Sequence, residues 1–148
     1  WPAAEQVPFE VFLTSPWQPV GREGVSQDFR DPVDVWNRKN RSYLALRKLA
    51  PCLNLKYEDL VQDPESVVEN IANTFGLRRR ASHFENIDVS LQGAPGQTFA
   101  SYQDFYLKEA WRDQYTRALI GLVNERLERA VMERFGYDML EAGHLASS

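Results

Sequence analysis

The sequence predicts an α/β fold that is mostly helical with one or two strands. Between residues 53 and 57 apolar and polar side chains alternate, as they do in a strand with one better buried face. Asp63 followed by Pro64 predicts a helix start, because the Asp side chain can accept from first-turn amides and proline loses no bond at the first helical position. Gly76 then supplies the left-handed residue that commonly ends a helix. Residues 53–77 therefore predict a strand, an acidic turn and a helix.

The rest of the chain is organised around two further helical regions. Residues 1–30 are rich in proline, glycine and aromatic side chains, which predicts an irregular segment packed on the core. Asp31 and Pro32 repeat the helix-start signal and open a helix through Ala50. We assign residues 31–140 to one domain and residues 141–148 to a flexible tail.

The second half of that domain begins with a stretch that has no sustained period, up to Ser101. Aromatic side chains then recur at helical spacing up to Tyr115. Thr116 is a candidate cap for one long helix that Gly136 ends, because apolar residues continue at helical spacing between them. We therefore expect a single long helix near the end of the chain.

Composition excludes several classes of protein. The chain has 148 residues and a net charge of −4, which disfavours a nucleic-acid-binding domain that depends on a basic surface. Its single cysteine, Cys52, and two histidines predict neither a disulfide nor a metal site. The absence of a long apolar run and of a leader pattern predicts a cytoplasmic setting without a membrane partner.

Three segments resemble PAPS-dependent sulfotransferases, in the order in which that family carries them. YEDLVQDPESVVENIANTFGL is similar to the family's strand-turn-helix unit, which begins with Tyr-Glu-Asp-Leu and ends with Phe-Gly-Leu. DPVDVWNRKNRSYLAL is similar to the helix before that strand in bacterial members, and VNERLERAVMERFGYD resembles the closing helix. Each motif alone is common, whereas the three in series are specific.

The resemblance implies the C-terminal part of a P-loop-type sulfotransferase fold, which transfers a sulfuryl group from PAPS to a hydroxyl or amine acceptor. It also implies phosphosulfate-binding and catalytic residues in the N-terminal half of the family's domain. This sequence has no G-x-x-x-x-G-K-[ST] loop. We therefore expect those residues upstream of Trp1, no catalytic residue in these 148, no activity in isolation, and possible self-association through uncovered apolar faces.

The candidate cofactor contacts lie in and after SLQGAPGQTF, which occupies the position of the family's basic 3′-phosphate loop. This segment has glycines but no lysine or arginine. The segment fits phosphate contact by Gly93, Gly96 and Gln97, since backbone amides and neutral side chains bind anions, but it also fits an ordinary flexible loop. Lys108, the nearest downstream cation, completes the predicted cofactor site. No metal cofactor is expected.

Other polar residues have a functional and a structural interpretation, and we favour the structural one. Glu58 and Asp59 fit an acid/base pair, but also a capped turn. The run 78–80 of three arginines fits a phosphate, but also a solvated charge run. His83 lacks a partner cluster, and the aromatic group fits either an acceptor pocket or the core.

Two other classes of function stay open. One is a self-sufficient helical protein-binding module, in which residues 31–138 form a small bundle and the irregular N-terminal segment contacts a partner. The other is a different P-loop transferase, such as a small-molecule kinase, which would bind ATP rather than PAPS. The acceptor itself is not predicted by any motif in this chain, because acceptor choice depends on variable loops.

Overall fold

The computed structural model describes residues 7–17, 28–85 and 98–141. Within these ranges the chain is helical, which confirms the mostly helical part of the predicted fold. The described residues contain no β-strand, and the only β-type pairing among them is an antiparallel bridge between Trp17 and Phe29. The helices are α1 (Phe9–Thr14), α2 (Pro32–Leu46), α3 (Tyr57–Gln62), α4 (Pro64–Phe75), α5 (Phe99–Leu107), α6 (Arg117–Arg126) and α7 (Arg129–Arg134), with a 3₁₀ turn at Ala110–Gln114.

The chain divides into two compact units. The first unit combines Trp1–Pro51 with Gln114–Ser148, and the second is Cys52–Asp113. The boundaries predicted at residues 30 and 140 stay predictions.

The first unit has its core where α1, α2 and α6 meet. Four buried side chains form this core, and Phe9, Tyr115 and Leu127 pack against it. The ring of Phe9 meets the ring of Tyr115 edge to face, with centroids 5.1 Å apart. Two sequentially distant parts of the chain are therefore joined by apolar contact. The four core residues are Leu13, Val33, Leu119 and Val123.

Helix α2 begins as the sequence predicts and ends earlier. The side chain of Asp31 accepts a hydrogen bond from the amide of Asp34 at 2.8 Å, and Pro32 occupies the first helical position. The helix ends at Leu46 rather than at Ala50, and both Tyr43 and Leu46 are exposed instead of facing inward.

The prediction of one long C-terminal helix is wrong, because α6 and α7 are separate. Thr116 does cap α6 through the amide of Leu119, and Gly136 adopts a left-handed φ of 68°. Between the helices, however, Leu127 has extended backbone angles (φ −67°, ψ 135°). Asn37 on α2 forms hydrogen bonds with the backbone on both sides of this break.

Residues 53–57, in the second unit, do not form the predicted strand. Residues 51–56 have no regular secondary structure, and Tyr57, the predicted strand end, is the first residue of α3. The predicted turn residues Glu58 and Asp59 lie in the first turn of that helix, where carboxylates are favoured by the helix dipole. A strand also needs a ladder partner, and the described ranges supply none.

Helix α4 follows the prediction at both ends. The carboxylate of Asp63 accepts from the amide of Ser66 at 3.0 Å and from its hydroxyl at 2.6 Å. At the other end Gly76 is left-handed, with φ 61° and ψ 32°, and the amide of Leu77 donates to the carbonyl of Ala72 at 2.8 Å. This is the expected glycine-terminated helix end.

Two glycine substitutions should have opposite effects on stability. Gly76→Ala should lower the free energy of unfolding by about 1 kcal/mol, because φ 61° strains a residue that has a Cβ. Gly121→Ala, inside α6, should raise it by about 0.5–1 kcal/mol, because alanine has the higher helix propensity. At both sites a new Cβ meets nothing within 4 Å, so packing does not contribute. Urea unfolding of the two variants measures both changes, and equal signs would contradict this account.

Candidate functional site

The predicted cofactor residues are only partly within the described structure. Gly93, Gly96 and Gln97 lie outside the described residues, so their assignment stays a prediction. Lys108 is the C-cap of α5, and its side chain is 72% exposed. Its ammonium forms an ion pair with Asp104 at 2.8 Å, one turn earlier on the same helix. A phosphate at Lys108 would therefore have to compete with that carboxylate.

The arginine run after α4 has a structural partner. Arg79 is ion-paired with Glu65 through Nη1 and Oε1, and the other carboxylate oxygen of Glu65 accepts from the amide of Phe84 at 2.5 Å. Glu65 thus ties residues 79–84 to the first turn of α4. For Arg79 the contacts support the structural interpretation, whereas Arg78 and Arg80 are exposed.

The hydrogen bond from Arg79 is the main reason why the pKa of Glu65 is lowered. Burial acts in the opposite direction, and the amide of Phe84 and the charges of Arg79 and His83 add to the lowering. A carboxylate with a lowered folded pKa contributes stability that is present above its unfolded pKa and is lost as the pH falls through the folded value. Glu65 therefore adds to the free energy of unfolding only at pH values above the acid range.

Glu65→Gln should destabilise the protein at neutral pH and have a vanishing effect in acid. We expect the difference in free energy of unfolding between wild type and variant to be constant above about pH 5 and to shrink below it. Urea unfolding between about pH 7 and pH 3 measures this difference. Glu133→Gln, at an exposed glutamate of α7, is the control. A difference that does not change with pH would contradict the role assigned to the carboxylate.

An acidic groove lies between α3 and α4, with a volume of about 430 Å³. Asp59 and Asp63 are on its wall, and Asp63 already caps α4. Two carboxylates oppose the binding of a nucleotide phosphate, so this groove does not suit the sulfuryl donor. The lining residues are Leu55, Asp59, Gln62, Asp63, Ser66, Val67 and Asn70.

The aromatic group predicted before Tyr115 packs against α3. The ring of Tyr57 meets that of Tyr106 edge to face at 4.6 Å, and Phe105 meets Tyr106 at 5.2 Å. Burial, and then the neighbouring phenols of Tyr106 and Tyr102, raise the pKa of Tyr57. The phenol of Tyr57 is therefore protonated at neutral pH and is a hydrogen-bond donor rather than a base.

The most buried polar side chain of the described structure lies in the first unit and is not a predicted site residue. Asp31 is 0% exposed, and its Oδ2 accepts from Nε of Arg30 and from Nη1 of Arg126, both at 2.9 Å. Its Oδ1 caps α2. The sequence indicated only the cap, because Arg126 is 95 residues away and no local pattern connects the two. This cluster joins the N-cap of α2 to α6.

The described residues show neither a metal-binding cluster nor a membrane-spanning helix. No group of three or more His, Cys, Asp and Glu side chains there is placed to hold a metal ion. None of the described helices has the length and apolar character needed to cross a bilayer. His83 is exposed, with Ser82 3.3 Å from Nδ1 and Glu85 3.5 Å from Nε2, so it lies at the surface as predicted.

Comparison with known proteins gives a match to a segment of the chain. A family model described as the sulfotransferase family matches residues 9–81, just under half of the chain. The matched segment contains α1 to α4 and the whole Tyr-Glu-Asp-Leu to Phe-Gly-Leu unit. Residues 9–81 are thus similar to the sulfotransferase family, which confirms the resemblance for that segment. No curated protein and no solved structure matches the chain.

Proposed function

We propose that this chain is the C-terminal portion of a sulfotransferase that moves a sulfuryl group from PAPS to a hydroxyl or amine acceptor. In that reaction the acceptor oxygen or nitrogen forms a bond to sulfur, the bond from sulfur to the 5′-phosphate breaks, and adenosine 3′,5′-bisphosphate leaves. The acceptor's proton passes to a base. Charge develops on the transferring group and on the leaving phosphate, so cations and amides must surround them.

The observation that carries this proposal is the family match over residues 9–81. The local structure supports it, because the caps at Asp63 and Gly76 delimit the helix in the matched motif. The same interval contains no glycine-rich phosphate loop of the G-x-x-x-x-G-K-[ST] type. We therefore place the phosphosulfate loop and the catalytic base in polypeptide outside these 148 residues. We also propose a cytoplasmic setting.

Exposed apolar side chains further support a portion of a larger domain. In the second unit Leu55, Tyr57, Phe75 and Leu77 are exposed although they are large and apolar. Residues 53–57 have the alternating pattern of a strand but no ladder partner in the described ranges. In the proposed whole domain, this segment joins the central sheet and the apolar side chains pack beneath it.

A nucleotide titration tests where the phosphate contacts lie. Adenosine 3′,5′-bisphosphate, titrated calorimetrically into the 148-residue chain, should bind no more tightly than about 1 mM. Lys108→Ala should leave that weak binding within error, because the ammonium is paired with Asp104. Gly121→Ala, a stability variant at a residue outside the predicted phosphate contacts, is the control. Micromolar binding to the chain would overturn the placement of the phosphate sites outside it.

A helical protein-binding module is the second candidate. The observation that favours it is the absence of a sheet in the described residues, together with the separate buried core of the first unit. A module with covered apolar faces should be monomeric in sedimentation and should not bind a hydrophobic dye. The proposed portion of an enzyme should instead self-associate or bind the dye, because its apolar side chains lack their cover.

A further inference from the structure

The break between α6 and α7 has no cause in its own sequence. Leu119, Val123, Leu127 and Val131 follow one another at four-residue spacing, so a single apolar stripe runs through the break. Residues 122–135 contain neither glycine nor proline. Sharp interruptions of a helix need an identifiable cause, and here the local sequence favours continuity.

The side chain of Asn37, on α2, supplies the cause. Its Nδ2 donates to the carbonyl of Arg126 at 2.8 Å, and its Oδ1 accepts from the amide of Glu128 at 3.1 Å. Asn37 is 4% exposed, so both bonds are shielded from water. One side-chain amide thus pairs with the backbone on both sides of Leu127, which is extended.

Two ion pairs add to the hydrogen bonds that Asn37 forms on either side of Leu127. Asp31 holds the side chain of Arg126 at 2.9 Å, and Arg41 holds that of Glu128 at 2.6 Å. All four contacts come from α2 or its N-cap, which lie in the family-matched segment, whereas α6 and α7 lie beyond it. The matched segment therefore determines the backbone of the following one.

The backbone groups that Asn37 binds have partners in a continuous helix as well. There the amide of Glu128 would donate to the carbonyl of Asn124, and the carbonyl of Arg126 would accept from the amide of Ala130. Neither group is left unsatisfied in either arrangement. The two arrangements therefore compete, and the contact with Asn37 decides between them.

We propose that residues 117–134 are a two-state element, interrupted while α2 is docked and a continuous helix when the contact with Asn37 is lost. A change that moves α2 would then lengthen and straighten the C-terminal helix. The element would transmit a displacement of α2 to the end of the chain.

Asn37→Leu tests this, because leucine has a similar size and cannot pair with the backbone. The readout is the ¹³Cα chemical shifts of Leu127 and Glu128, which report backbone conformation residue by residue. We expect them to move from extended to helical values. Asn40→Leu, on the same helix, removes an amide that bonds only to the carbonyl of Trp36, and should leave these shifts unchanged.

Arg129→Pro provides the reverse test. Arg129 is the first residue of α7, where proline is favoured, and Glu128 before it is extended, as a residue preceding proline prefers. Proline at 129 would be inside a continuous helix and would break it. Adding Arg129→Pro to Asn37→Leu should therefore restore the extended shift values at Leu127.

The outcomes are decisive in either direction. Helical shifts in Asn37→Leu that Arg129→Pro reverses support the two-state element. Extended shifts in a folded Asn37→Leu would show that the break is intrinsic, and would overturn it. If Asn37→Leu does not fold, Asn37→Ser replaces it. Loss of folding in both variants would also overturn the proposal, because the interrupted form would then have no folded alternative.

Discussion

Replacing Asp31 with alanine is expected to lower the free energy of unfolding by about 3 kcal/mol. The carboxylate is completely buried and accepts from Arg30, Arg126 and the amide of Asp34. Alanine leaves the cap of α2 unfilled and the guanidinium groups without their carboxylate. Breaking a buried ion pair costs about 3–5 kcal/mol, and the low end applies because both arginines reach solvent.

Asp31→Asn separates the cap from the charge. Asparagine keeps an oxygen for the amide of Asp34, so it should recover about 1 kcal/mol of the loss. A double-mutant cycle with Arg126→Met then isolates the coupling between the two side chains. Urea unfolding of the wild type, the two single variants and the double variant gives the four free energies that the cycle needs. A loss below about 1 kcal/mol for Asp31→Ala would show that the cluster does not stabilise the fold.

Leu119→Ala is expected to have an effect of similar size, about 3 kcal/mol. Leu119 is 5% exposed and packs with Leu13, Val33 and Val123, where truncation removes apolar contact and leaves a cavity. Leu49→Ala is the matched control, because Leu49 is 82% exposed and the same atoms are removed. That control should stay within about 0.5 kcal/mol of wild type. Equal losses at the two positions would contradict the core assigned to the first unit.

Helix ends could be predicted from the sequence because their determinants are local. The caps at Asp31, Asp63 and Thr116 each depend on a hydrogen bond to an amide three residues away. Gly76 and Gly136 end helices through a backbone angle that glycine adopts without strain. A short stretch of sequence contains all the information that these features need.

Features that depend on distant residues could not be predicted in the same way. The strand expected at 53–57 requires a partner strand, and the described part of the chain has none. The hydrogen bonds at the break near Leu127 come from Asn37, and the ion-pair cluster at Asp31 includes Arg126, about 90 residues along the chain in each case. Periodicity alone cannot reveal such contacts.

The candidate site shows the same difference between features with local determinants and features that depend on distant residues. Arg79 was expected in a solvated charge run, whereas it is ion-paired with Glu65, 14 residues earlier, a contact that no local pattern indicates. The cation at Lys108 was predicted, whereas its ion pair with Asp104, one helical turn away, was missed although the spacing of the two residues could have revealed it. The contacts predicted at Gly93, Gly96 and Gln97 lie outside the described residues and stay predictions.

The most direct measurement of the central claim is sulfuryl transfer from PAPS by the polypeptide translated from the gene's natural initiation codon. The same assay is run in parallel on the 148-residue chain, with hydroxyl-bearing and amine-bearing acceptors. We predict transfer by the former, with release of adenosine 3′,5′-bisphosphate, and none by the latter. Transfer by the 148-residue chain itself would contradict the account, as would a natural polypeptide that neither binds nor uses PAPS.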